Sequence, residues 1–454
     1  MKPALWSRPL SRDERIKAAL LSSWFFVTVA TLWLLKPVRV ATLLVHLGAL
    51  ETPYVRLAAV GVVGMIVALY SLVVNRVSRV QLVRLANVAF AVLLVAFWMI
   101  RHWGGPKLDA ERPFVWALYI LVELYSVLMV GVFWTYANDV VTTKESNRLY
   151  GIVGLGGILG GMAGGAFVDA LGESVGPMNL LLVCAALVIV CAVLGTLTEA
   201  ILQPPDRRAE WREVGANAAF AGAREVRKSR YLTLLVAIVV AYEFTATLSD
   251  FGINVIFQHD FSTEAELTKM YGRLGWIASI TAIVTQVALV PLVLPSKRFA
   301  LLLPPFAMIA SAVGVVMLPI LATAMILGVT DRGLNYSIQQ STWESLYVPL
   351  DAEQKYKAKA FIDMFVDRAA KAGAAFVLVA LIAASGATVR ITVGICVVSA
   401  VVWMGSARRL ARYWSRGDPT PEALAAKDDA PSAPGAPDAP DETPSPPSMF
   451  HPST

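Results

Sequence analysis

Twelve apolar runs follow one another along the chain, each close to the ~20 residues a helix needs to cross a bilayer. They lie at approximately 18–36, 55–75, 81–100, 114–137, 150–171, 178–201, 232–257, 271–294, 299–317, 319–342, 360–384 and 388–406. The pattern predicts an all-α membrane protein of about twelve transmembrane helices. The ninth and tenth runs are the hardest to separate. Pro304, Pro305 and Pro319 interrupt them and almost no polar residue lies between, which predicts kinks or a very tight turn. The longest polar break, 202–231, splits the spans six and six.

The expected organisation is an N-terminal segment 1–17, a six-helix half 18–201, a linker 202–231, a second six-helix half 232–406 and a disordered tail 407–454. Within the linker, 209–226 is amphipathic and is expected to lie on the membrane surface as a helix. Beyond residue 417 the chain is rich in Pro, Ala, Asp and Ser, with Phe450 its only aromatic residue. The halves echo each other. The second span ends in Asn75-Arg-Val-Ser-Arg79 and the eighth in Leu294-Pro-Ser-Lys-Arg298. The fourth leads into the basic stretch ending at Arg148, and the tenth into the one ending at Lys357. Such internal symmetry is the sequence trace of a two-repeat transporter.

Composition agrees with the periodicity. Hydrophobic residues make up 57% of the chain and charged residues 16%, against roughly 25% charged in soluble domains. The mean hydropathy is +0.61. The net charge of +6 would suggest nucleic acid on a soluble protein. Here the basic residues sit in alternate short loops, which carry topology rather than a nucleic-acid footprint. Arg76, Arg79, Arg84, Lys144, Arg148, Lys297, Arg298, Lys355, Lys357 and Lys359 fall on one side, with the basic linker and Arg408, Arg409, Arg412 and Arg416. Arg56, Lys269, Arg273 and Arg390 fall on the other. The asymmetry predicts cytoplasmic termini. The first run follows Lys2, Arg8, Arg12, Arg15 and Lys17 without a small-residue cleavage site, so it is expected to be retained as a span.

No catalytic constellation is visible. His46, His102, His259 and His451 are scattered, and there is no P-loop, nucleophile elbow or H-E-x-x-H. Cys184, Cys191 and Cys396 lack metal-ligand spacing and read as small core hydrophobes. Neither an enzyme nor a cofactor site is expected. The glycine-rich stretch Gly151–Gly165, with Gly157, Gly161 and Gly165 four apart, could suggest a phosphate cradle. No strand precedes it and no Lys-Ser/Thr follows it, so close helix packing is the better reading.

The informative residues are charges inside the apolar runs, since each costs at least ~2.5–3.5 kcal/mol at bilayer depth. Lys36 and Arg39 are three apart and share a helix face. They could clamp an anion or snorkel to the interface. Glu123 is mid-run and implies a cavity, or an ion pair with Arg39 or Lys36. Asp250 suits a cavity mouth or an ion pair, and Glu243, nearer mid-span, competes with it. Asp331, Arg332 and Glu344 interrupt the tenth run. Charges kept in both halves argue for a polar cavity between helices, and against a scaffold that transports nothing.

Two blocks carry a resemblance. Phe133-Trp-Thr-Tyr-Ala-Asn-Asp139, followed by Thr142-Thr-Lys-Glu-Ser-Asn-Arg-Leu-Tyr-Gly151, resembles the fourth-to-fifth span region of the plastid and bacterial ATP/ADP translocase family of nucleotide transporters. Leu346-Tyr-Val-Pro-Leu-Asp351, followed by Lys355-Tyr-Lys-Ala-Lys-Ala-Phe-Ile-Asp363, resembles that family's tenth-to-eleventh region. The resemblance covers about residues 20–405 and implies a major-facilitator-like fold. It further implies a monomeric nucleotide exchanger in a bacterial inner membrane, working by alternating access. The family uses two cationic and two acidic intramembrane positions. These fall on Arg39, Glu123, Asp250 and, in a departure from the pattern, Trp343, which has no charge but can stack on a base. The expected binding set is therefore Arg39, Lys36, Glu123, Asp250, Trp343 and Asn335. Glu243, Glu344, Asp331 and Arg332 are expected in gating or coupling. The other class of solute considered is an unrelated organic anion carried by a major-facilitator-type permease.

Overall fold

The structure is a computed structural model that describes residues 10–74, 79–105, 111–202, 216–350, 352–386 and 388–414. The tail call at 407–454 and the start of the N-terminal segment thus lie largely outside the described residues. Helix is the regular structure throughout the described residues. The first six helices are α1 (Arg12–His46), α2 (Thr52–Val74), α3 (Arg79–Gly104), α4 (Arg112–Val140), α5 (Thr143–Val175) and α6 (Leu180–Leu202). The short α7 (Ala216–Lys228) precedes α8 (Arg230–Asp260), α9 (Glu264–Val284), α10 (Val290–Val293), α11 (Lys297–Met317) and α12 (Leu321–Leu334). After them come α13 (Gln340–Leu346), α14 (Ala352–Phe361), α15 (Asp367–Ser385) and α16 (Val389–Ala411).

Three π-turns join some of these end to end. Thr285–Leu289 links α9 to α10, Asn335–Gln339 links α12 to α13, and Ile362–Val366 links α14 to α15. Ten helical stretches are long and apolar enough to cross a membrane. Two further long rods, 321–346 and 352–385, fall outside that set. Both carry charged residues along their length, among them Asp331, Arg332, Glu344 and Lys371. Ten apolar spans and two charged rods thus stand where the twelve apolar runs predicted twelve spans.

Boundaries follow local chemistry. Ser11, Thr142 and Thr263 each form a capping box with a glutamate three residues on, and so begin α1, α5 and α9. The same glutamates clasp α1 to α5, because Glu14 accepts from Arg148 at 2.8 Å and Glu145 from Lys17 at 2.9 Å. The indistinct ninth-to-tenth boundary is a turn of three residues, 318–320, with Pro319 inside it. Pro304 and Pro305 lie within α11, which continues through them. The amphipathic helix of the linker is α7, which runs to Lys228 rather than 226. Residues 203–215 lie outside the described residues.

The glycine-rich stretch is a packing surface. It forms the face of α5 that lies on α1. A Cβ on Gly160 would sit 2.2 Å from the Phe26 carbonyl oxygen, and one on Gly165 would sit 2.8 Å from the backbone nitrogen of Trp276 on α9. Only glycine permits these approaches. Gly160→Ala should therefore lower the melting temperature of the purified protein, at a cost of roughly 1–3 kcal/mol. Gly154→Ala is the control, since a Cβ there meets nothing within 4 Å. Equal melting of both variants would show that the α1–α5 contact is not tight.

Two apolar clusters are drawn from α1 and α3–α6, and include Trp24, Leu35, Tyr125 and Phe133. Another is drawn mainly from α8–α16 and includes Tyr231, Phe251, Phe257 and Trp403. Cys184, Cys191 and Cys396 are free thiols buried within these clusters. Polar ties join α1–α6 to the later helices at the end bearing His46, Val175 and Glu264. There Gln258 accepts from the Ala49 N–H at 2.7 Å and donates to the Leu44 carbonyl at 3.0 Å. Asp169 accepts from Trp276 at 2.9 Å and pairs with Arg273 at 3.1 Å, and Glu173 pairs with Lys269 at 2.8 Å.

Candidate functional site

A central cavity of about 430 Å³ lies between the two groups of helices. Its polarity comes from stripes on otherwise apolar helices. On α8, Glu243, Thr247, Asp250 and Asn254 recur at the spacing of one helix face and all border the cavity. Lys36 and Arg39 do the same on α1, Tyr119 and Glu123 on α4, and Arg368 and Lys371 on α15. Six basic and five acidic side chains face this space: Lys36, Arg39, Arg56, Arg332, Arg368 and Lys371 against Glu123, Glu243, Asp250, Asp331 and Asp367.

Most of these charges are paired. Arg39 is 8% exposed. Its Nη1 lies 2.7 Å from Glu123 Oε1, although its N–H groups are not aligned as a hydrogen bond along that contact. Its guanidinium stacks over the Tyr119 ring at 4.4 Å. Tyr119 and Glu123, one turn apart on α4, thus hold one arginine by ring and by carboxylate. The snorkelling alternative for Arg39 is ruled out, because α1 runs seven residues past it to His46 and the side chain is buried.

Asp250 is shared by two arginines. Its Oδ2 accepts from Arg56 at 2.9 Å and its Oδ1 from Arg332 at 3.0 Å. The trio therefore carries one excess positive charge and ties α2, α8 and α12 together. Lys371 pairs with Asp367 at 2.9 Å and with Glu243 at 3.7 Å. Two cations stand apart from these pairs. Lys36 lies 5.2 Å from the Trp33 ring centroid, and neither Lys36 nor Arg368 is in an ion pair with a described residue.

Arg39, Glu123, Asp250, Lys36, Glu243, Asp331, Arg332 and Asn335 therefore meet in one cavity. Trp343 and Glu344 do not join them there. They line a second cavity of about 400 Å³ among α8, α11, α13 and α14–α16, and Glu344 pairs with Lys359 at 2.6 Å. The position where the resemblance places a second cation is thus outside the lining of the central cavity. Arg56, Tyr119, Asp367, Arg368 and Lys371 belong to the central cavity and were absent from the sequence-derived set.

This arrangement, a charged cavity between two groups of helices with the polar ties at one end, is that of a membrane transporter with a major-facilitator-like fold. Solved transporters share it. A bacterial homologue of the human lysosomal transporter Spinster, in an inward-facing state, superposes with a TM-score of 0.59 at 13% identity, covering 94% of this chain and all of that one. The nucleoside transporter NupG superposes with a TM-score of 0.59 at 12% identity, covering 86% and 98%. At such identities the likeness concerns the fold alone.

The chain belongs to the TLC ATP/ADP transporter family, whose profile matches residues 111–414. ADP,ATP carrier protein 1 of Chlamydia pneumoniae is 22% identical over 370 residues, which span 69% of this chain and 70% of the carrier. The chloroplastic ADP,ATP carrier protein 1 of Arabidopsis thaliana is 24% identical over 335 residues, 64% of this chain and 53% of that protein.

Proposed function

We propose that this protein exchanges adenine nucleotides across a bacterial inner membrane by alternating access, as a monomer with both termini in the cytoplasm. One observation carries the choice of substrate charge. Lys36 and Arg368 reach the central cavity from α1 and α15 with no carboxylate beside them. Two such cations, on opposite sides of one cavity, are a receptacle for a polyanion. The paired charges act as gates. Glu123 and Asp250 hold Arg39, Arg56 and Arg332 when the site is empty and release them to phosphate when it is filled. Glu243, Asp331 and Arg332 link that exchange to the packing of α8 against α12. With the basic loops at the cytoplasm, the tied end bearing His46 and Glu264 is the outer end, so the cavity is closed to the outside.

The test is uptake of labelled ATP and ADP into proteoliposomes, with and without nucleotide inside. Uptake should depend on internal nucleotide and should be inhibited by di- and triphosphates. Uptake of neither nucleotide, with no competition between them, would remove the substrate assignment and leave the transporter fold standing.

A further inference from the structure

The second cavity is not part of the central charge array, yet it adjoins it. Tyr242, Glu243, Asn335, Asp367 and Lys371 border both. Its character is opposite. Lys371 is its only basic lining residue, facing Glu243, Glu344, Asp363 and Asp367. A phosphate group would be repelled there. The rest of the lining suits a flat, uncharged ring with polar edges. The indoles of Trp343 and Trp403 border the space, and Trp403 is fully packed while Trp343 is partly accessible. The side-chain amides of Asn335, Gln339 and Gln340 also face it, and none hydrogen-bonds to a described residue. Free amides and carboxylates beside an aromatic surface are the groups that read the edge of a nucleobase while its face stacks.

Reach is compatible with one ligand filling both spaces. Asn335 borders both cavities, and Trp343 lies eight residues further along the same rod, or about 12 Å at the rise of a helix. That is comparable to the separation of base and distal phosphate in an extended nucleoside diphosphate. Charge alone then orients the ligand, with phosphates towards Lys36 and Arg368 and the base away from them.

We infer that the second cavity is the base pocket of the transporter, with Trp343 as its stacking platform and Asn335, Gln339 and Gln340 as its edge readers. The inference rests on the proposed exchange of nucleotides. Trp343, placed by the resemblance where a cation belongs, thus acts on the uncharged part of the substrate.

Binding of ADP and of pyrophosphate to the purified full-length protein separates the two parts of the ligand. Wild type should bind ADP at least about 10-fold more tightly than pyrophosphate, the lower range of base stacking. Trp343→Ala should remove most of that advantage while the affinity for pyrophosphate stays put, and Trp343→Phe should keep most of it. Gln340→Ala, at an exposed position, should alter the preference between adenine and other bases at unchanged pyrophosphate affinity. Equal loss of ADP and pyrophosphate binding in Trp343→Ala, or no loss of ADP binding, would overturn the inference. So would wild type that binds both ligands equally, with the nucleotide reading left intact. Wild type that binds pyrophosphate and ADP not at all would overturn that reading and the pocket together.

Discussion

Arg39→Ala should abolish exchange, with a fall of at least ~100-fold in rate, while Arg39→Lys should keep a measurable fraction. Breaking a buried ion pair by removing one partner costs roughly 3–5 kcal/mol, because the other charge is left without compensation. The Glu123 side chain is 32% exposed, so solvent offsets part of that, and roughly 2–3 kcal/mol is the reasonable expectation. Stability alone therefore does not account for complete loss. The larger effect comes from removing a charge and a stacked guanidinium from the substrate cavity. Lysine restores the charge, but neither the planar stack on Tyr119 nor the fork of donors. Arg39→Ala combined with Glu123→Gln separates the two effects. It should recover folded yield by size-exclusion chromatography and stay inactive in proteoliposomes. Full exchange by Arg39→Ala would take this position out of the site.

The second large effect concerns charge selectivity. Lys36→Gln and Arg368→Gln should each weaken ATP and ADP by about 10-fold and AMP by less. Two unit charges 4 Å apart interact by ~4 kcal/mol at an effective dielectric constant of 20. Hydration of a half-exposed site leaves a third to a half of this, which corresponds to a factor of about ten. The two residues share no partner in the structure, so their effects should add in the double variant. Competition by AMP, ADP and ATP at two ionic strengths reads the result directly. Unchanged ratios among the three would mean that neither cation touches phosphate. Arg56 and Arg332 behave differently, because each already shares Asp250. Their truncation should lower expression and exchange together.

How far the sequence foretells this depends on the kind of signal. Span positions and the inward charges Lys36, Arg39, Glu123 and Asp250 are legible because an ionisable residue in an apolar run is conspicuous. Arg56 is not, since it sits at the edge of its run and counts naturally as a loop charge. The helix begins earlier, at Thr52, so Arg56 lies in its second turn and reaches Asp250 and Tyr119. Asp367, Arg368 and Lys371 are hidden for a related reason. They fall near the apparent start of the eleventh run, but the rod begins at Ala352 and places them well within it. Tyr119 gives no signal at all, because a tyrosine in a span reads as core. The misplacement of Trp343 has a geometric cause. Counting at 3.6 residues per turn carries the cavity face from Arg332 forward, and a π-turn intervenes at Asn335–Gln339. Composition does not reveal a change of helical pitch.

That π-turn has a consequence for how the chain tolerates change in length. A π-turn holds one residue more than the α-helix it interrupts. Deleting one residue from 335–339 would leave an unbroken α-helix, with no lost hydrogen bond to penalise folding. Everything downstream would nevertheless turn by about 100°, the angle of one residue in an α-helix. Trp343 would swing off its present cavity while Asp331 and Arg332 stayed where they are. A protein shortened in this way would insert, fold and keep its ion pairs, yet present a different face to whatever occupies the second cavity. Single-residue length variation at this point, rather than substitution, is thus the change that alters the lining without disturbing the bundle.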